Sequence, residues 1–220
     1  MSAMRAARLL ALSIWVACGT SDRAGGEAST EVVRGTGEGT FPAETLTDWV
    51  SYAVQISQVT VLSDREIPPP RTVWERGEGY IGRQAKLRVD NTYWKSPGAL
   101  TPGASPDPSE IDVVVTGWVL RASVRHRIAF QHSPRLEVGG KYVIPLVTLL
   151  RPTINFDGDG GTTGESAQWG PLDPEAPFPL DRDPVATMDV QLTGTAPLAH
   201  ELSALDQATL RDRFTSARPD

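Results

Sequence analysis

The chain has one cysteine and three histidines in 220 residues. It also lacks any apolar run of the roughly 20 residues that a membrane-spanning helix needs. Each scarcity removes a class of function. With one cysteine no disulfide can form within the chain, and a structural zinc site, which needs four ligands at characteristic spacing, has no set to draw on. His126 and His132 fall at either side of a short expected strand, and His200-Glu201 has no second histidine four residues on, so no His-Glu-x-x-His pair exists. Neither a Gly-x-Ser-x-Gly elbow nor a Walker loop occurs. The formal charge is −6, and nucleic-acid binding runs on clustered Lys and Arg that release counterions. That balance speaks against a nucleic-acid partner and against polybasic contact with anionic lipid. Carboxylate pairs such as Glu75 with Glu78 and Asp181 with Asp183 read as solvated surface charge.

What is present begins at the N-terminus. Arg5 and Arg8 precede any acidic residue, Leu9 to Ala17 is almost wholly apolar, and small residues surround Cys18. These three zones in this order are the pattern of a secretory signal peptide, too short to remain as a span. Val16-Ala17-Cys18-Gly19 resembles the lipobox of bacterial lipoproteins, with Trp15 where that motif customarily has leucine. The resemblance implies that residues 1–17 are removed and that the Cys18 thiol carries a diacylglyceryl group. It would then hold the mature chain to the outer face of the cell membrane. Two acyl chains anchor stably where one binds only marginally. An otherwise unpaired thiol in an exported protein is accounted for in this way. Loss of Arg5 and Arg8 takes the mature chain to a charge near −8.

Residues 18–43 are Gly-rich and offer little to bury, so they read as a flexible tether whose typical reach is roughly 25–30 Å. Residues 44–220 are of a size for a single β-rich domain. Its apolar fraction is ordinary, and frequent Pro and Gly suit short strands joined by turns. Leu46, Trp49, Val50 and Ala53 recur at helical spacing, with Thr45 or Thr47 as cap. Residues 54–61 alternate until the apolar phase slips between Ile56 and Val59, which predicts a β-bulge. Asp64 to Pro70 is expected to end that strand. Ala85, Leu87 and Val89 alternate with charged residues as a half-buried strand reaching Tyr93-Trp94. Residues 111–120 read as a central strand, 127–131 as a shorter one, and Arg121 to Arg127 as the hairpin tip between them. Gly139-Gly140 turns into an apolar strand running to about Leu150, where Pro145 predicts an edge position or a bulge. Residues 169–184 read as irregular, proline-punctuated chain with a few strand-like pieces. Ser203 is expected to cap a last helix over about 203–216, with Leu205, Leu210 and Phe214 on its inner face.

About five or six strands with a short N-terminal and a docked C-terminal helix predict a mainly β fold, a small closed or partly closed barrel. An immunoglobulin-like sandwich is the alternative. The strand ending in Tyr93-Trp94-Lys95-Ser96 and the opening Leu136-Glu137-Val138-Gly139-Gly140-Lys141-Tyr142 are similar to the OB-like barrel of netrin-type and metalloproteinase-inhibitor domains. The order of pieces over roughly 46–190 also resembles uncharacterised lipoproteins of actinobacteria. The inhibitor families act through a cysteine framework and a free N-terminal cysteine, which this chain does not have available, so inhibition is not carried over.

Residues 155–166 place oxygens at alternate positions with glycine at the sixth, as a calcium loop does, which makes Asp157, Asp159 and Glu165 candidate metal ligands. The pattern departs from such a loop at its first position, at the eighth and at the glutamate, which stands at eleven rather than twelve. No other cofactor is indicated. Arg121, Arg125 and Arg127 are the compact basic group of the mature chain, a candidate patch for an acidic envelope polymer or a carboxylate-bearing partner. Trp49, Tyr80, Tyr93, Trp94, Trp118 and Trp169 could offer a sugar-stacking face, though core packing accounts for most of them, and Trp74 or Trp94 in a loop would be the more telling case. The expected role is a non-catalytic envelope domain that binds a ligand, polymer or protein partner. An extracytoplasmic hydrolase whose site is assembled from distant residues, such as His126 or His132 beside Asp or Ser, is the alternative.

Overall fold

The computed structural model describes residues 28–35, 41–96, 108–130, 132, 134–154, 162–180 and 196–219. Cys18, Asp157 and Asp159 lie outside them. The strands are β1 (Ala28–Gly35), β2 (Gln55–Ile67), β3 (Gly79–Lys95), β4 (Glu110–Arg121), β5 (Val124–Phe130), β6 (Lys141–Ile154), β7 (Thr162–Pro171) and β8 (Phe178–Pro179). The helices are α1 (Leu46–Tyr52), α2 (Arg71–Arg76), α3 (Pro197–Ser203) and α4 (Gln207–Ser216). Among the described residues no helix is long and apolar enough to cross a membrane.

Five strands close a ring in the order β4-β3-β2-β6-β7, the last joining the first through a parallel contact of Val113 with Trp169. Three strands meander, the fourth returns beside the first, and the fifth closes in parallel on the third: an OB-like Greek-key barrel rather than a two-sheet sandwich. β5 extends the sheet from the rear of β4, and β1 pairs parallel with β5. β1 falls inside the stretch expected to be a flexible tether; its Thr30 to Val33 are a β-compatible run that takes up the edge β5 offers.

Two hydrophobic clusters share β2 and β6. One fills the barrel with Val59, Val61, Ala85, Leu87, Ile111, Val113, Tyr142, Ile144, Leu146 and Trp169. The other lies outside the barrel wall, where Ile56, Tyr93, Val143 and Val147 meet Trp49 of α1, Leu202 of α3, and Leu210 and Phe214 of α4. The Trp49 ring stacks on Phe178 and on Phe214, each at 6.2 Å between centroids. α1 forms where expected: Thr45 Oγ1 accepts from Asp48 N (3.1 Å) and Asp48 Oδ2 accepts from Thr45 N (2.8 Å), a reciprocal cap.

Several expectations are corrected. The phase slip between Ile56 and Val59 does coincide with register irregularities, but the extra residues, Tyr93 and Asp90, are on β3. β2 reads out of phase because Ile56 and Val59 serve different cores. The strand also continues past Asp64 to Ile67. Pro145 is not on an edge strand: β6 lies between β2 and β7. On that flank β8 ends opposite Val143 and β7 starts opposite Leu146, so the missing N–H faces the gap between them. Residues 162–171, expected in part to be irregular, are the closing strand β7. The single long C-terminal helix is two, because α4 is capped by Asp206, whose Oδ1 accepts from Thr209 N at 2.8 Å, and not by Ser203. The hairpin turn is confined to Ala122-Ser123, both at positive φ, so Arg125 and Arg127 stand on β5 and not at the tip.

Candidate functional site

The site candidate is the half of the barrel wall that, among the described residues, α1, α3 and α4 leave uncovered, with α2 packed at its edge where Val73 meets Gly79. Along β3 the inward residues Ala85 and Leu87 pack in the barrel, so the alternate residues Tyr80, Gly82, Gln84 and Lys86 face out. On β2 an extra residue, Leu62, interrupts the register between Val61 and Ser63. Val61 is in the barrel, and without the extra residue Ser63 would be as well. The bulge reverses the alternation and turns Ser63, Arg65 and Ile67 outward, opposite Lys86, Gln84 and Gly82. On the other flank Asp112 of β4 stands opposite Lys86.

These residues enclose a cleft of about 290 Å³ lined by Ser63, Asp64, Arg65, Gln84, Lys86 and Asp112. Its lining side chains are linked at the exposed surface. Arg65 donates from Nε and an Nη to Gln84 Oε1 at 2.9 and 2.6 Å, and Lys86 reaches Glu110 at 3.3 Å. The lining charges cancel, two cations against two carboxylates. Beside the cleft Ile67 lies over Gly82, where a Cβ would meet Ile67 Cβ at 2.9 Å.

Farther along β3, Tyr80 is 50% exposed, yet its hydroxyl is fixed, accepting from Gly117 N at 3.1 Å. That donor comes from a second irregularity: β4 carries one residue more than β3 between the pairs Ile81–Trp118 and Arg83–Val115. Only glycine fits at 117, since a Cβ there would sit 2.0 Å from Ile81 O. The Tyr80 ring is thus held across β3 and β4 with half its surface open to solvent.

The basic group is built differently. Arg121 is exposed at the hairpin end. Arg125 pairs with Glu66 and lies over the Trp74 ring of α2 at 5.4 Å. Arg127 pairs with Glu137, which also forms an ion pair with Arg135, Nε to Oε1 at 3.1 Å. Arg135 is buried, stacks on Trp118 at 4.9 Å and donates to Gly117 O at 2.7 Å. Arg83, 0% exposed, donates from Nε to Asp64 at 2.6 Å and from an Nη to Leu136 O. Four arginines and three carboxylates therefore tie the rear of β2, β3 and β5 to residues 135–137.

The carboxyl groups that stand out by their proton affinity lie elsewhere. Burial raises the Asp173 carboxyl above the usual range, against the hydrogen bond its Oδ1 accepts from Glu175 N at 2.7 Å. Glu175 is raised by burial and by the Asp173 charge, with His132 acting in the opposite sense. These groups belong to the β7–β8 connection and its surroundings, not to the cleft lining. His200 is on the exposed surface of α3. Of the candidate metal ligands only Glu165 is described; it is exposed on β7, opposite Pro152. Among the described residues no three His, Cys, Asp or Glu side chains gather as a metal site. Sequence reasoning missed the cleft because Ser63, Arg65 and Gln84 carry no motif; the signal was the outward alternation of β3, read there only as a wet face. The chain matches no known family model, no curated protein and no solved structure.

Proposed function

We propose that this chain is a bacterial envelope lipoprotein of the kind the actinobacterial resemblance implies. It is exported, anchored to the outer face of the membrane through lipid on Cys18, and binds a ligand or polymer without catalysing a reaction on it. The N-terminal zones and the lipobox-like tetrapeptide support the anchor. The observation that carries the binding role is the polar cleft on the bare face, opened by the Leu62 bulge that turns Ser63 and Arg65 outward. The hydrolase alternative asks for shifted titratable groups converging in a concavity; Asp173 and Glu175 are shifted, but the cleft is lined by other residues. Cell fractionation tests the anchor: Cys18→Ala should leave the membrane fraction and change mobility, and a variant that stays membrane-bound with unchanged mobility contradicts it. A ligand that binds only the folded state must raise the melting midpoint by mass action. A melting screen of the full chain against calcium, EDTA, acidic polymers and glycans therefore tests the binding role. A calcium shift removed by Asp157→Ala would instead place function in the 155–166 loop.

A further inference from the structure

The bare face has a graded chemistry along β3. Tyr80 comes first, its ring held open by the Gly117 hydrogen bond. Ile67 follows, over Gly82, and then the Arg65–Gln84 pair. The polar cleft with Ser63, Lys86 and Asp112 lies beyond. Such an order suits a ligand that is apolar on ring faces and rich in hydroxyls at ring edges. The lining offers donors and acceptors together, and its charges are met, Asp64 by Arg83 and Lys86 by Glu110, with Arg65 and Asp112 of opposite sign, so it favours a neutral ligand over a polyanion. Gln84 and Tyr80 are four residues apart on one strand, roughly 13 Å, and the cleft alone is at the small end of ligand pockets. A single small sugar cannot touch both. We propose that this face binds an extended, uncharged polyhydroxylated chain, an oligosaccharide, with one unit in the cleft and a later unit stacked on Tyr80. The inference rests on the reading of the bare face as the binding surface and gives that surface its ligand class.

The test uses the full chain in detergent and isothermal titration with one-, three- and six-unit oligomers of glucose, mannose and N-acetylglucosamine, with polyglutamate as the charged probe. The expected result is affinity for at least one oligomer series that rises with length. Tyr80→Ala should then cost the longest oligomer about tenfold, the scale of one aromatic contact, and remove most of the gain with length. Gln84→Ala should weaken every length of that series. Tyr80→Phe, which keeps the ring and frees it from Gly117, should fall between wild type and Tyr80→Ala. Tyr52→Ala, at an exposed aromatic of α1, should bind as wild type. Each variant's melting midpoint without ligand separates lost binding from lost folding. Oligomer binding independent of length, or retained by Tyr80→Ala, overturns the inference. Polyglutamate binding that Arg121→Ala abolishes, with no oligomer binding, overturns the ligand class and leaves a binding role at the basic group. No binding of either kind overturns the inference and removes the support for the bare face as a binding surface.

Discussion

The two halves of β3 face outward into opposite settings. Toward its end, Tyr93 turns into the cluster under α1, α3 and α4 and packs at 5.9 Å from the Phe214 ring. Toward its start, Tyr80 is equally aromatic, yet half exposed and tied by its hydroxyl to a bulged neighbour. One strand thus supplies both a structural and a displayed aromatic, and what separates them is which half the helices cover. The covered half is sealed by apolar area. The rear of the bare half is sealed underneath by the arginine–carboxylate network around Arg83 and Arg135, so that its outer surface is left polar and open.

The comparison predicts unequal costs. Trp49→Ala on the covered half should destabilise by about 3–5 kcal/mol in denaturant titration, the range for a buried tryptophan truncation; a cost near 1 would mean the helices are not part of the core. Under the bare half, Asp64→Ala takes from the buried Arg83 guanidinium the carboxylate its Nε donates to and should cost about 2–3 kcal/mol. Adding Arg83→Met should recover part of that loss, because the buried guanidinium that lost its carboxylate goes with it. A double variant no better than the sum of the singles would show that Arg83 contributes packing alone.

A smaller effect separates by pH. Burial holds the Asp173 carboxyl above its ordinary range, so the folded state binds that proton more tightly than the unfolded chain does. Its contribution is most favourable with the carboxyl protonated. It declines as pH rises from the ordinary carboxylate value, about 4, through the raised folded value, and stays low above. Asp173→Asn keeps the oxygen that Glu175 N donates to and removes the charge, so it should melt higher than wild type at neutral pH and lose the advantage in acid. Equal midpoints across that window would contradict the assigned cause. Lys86→Ala on the bare surface should move stability by no more than about 0.5 kcal/mol, which marks the cleft as dispensable for folding.

Legibility in the sequence followed the same divide. α1 announced itself through Leu46, Trp49, Val50 and Ala53 at helical spacing, and β3 through strict alternation, because each has one dry and one wet face. β7 did not: Thr162 to Pro171 is mostly polar and glycine-containing, Trp169 is its one member of the barrel core, and pairing with β6 decides its conformation. The slip in β2 was seen, but its cause, two cores served by one strand, depends on helices some 150 residues downstream. The cleft was hidden for a related reason. It depends on one residue too many at Leu62, as the Tyr80 tether does on another in β4 before Trp118, and a bulge re-aims side chains without leaving a mark in composition. Arg125 and Arg127 were visible as a charge cluster, but their partners Glu66 and Glu137 are distant in sequence and meet them only in the fold.

Amide chemical-shift mapping of the full chain in detergent during titration with a neutral six-unit oligosaccharide tests the central claim most directly. The account predicts perturbations confined to residues 63–67 of β2, 80–86 of β3 and 112–117 of β4, with α1, α3 and α4 unchanged. Perturbations centred on the helices or on residues 121–127, or none at saturating ligand, would contradict it.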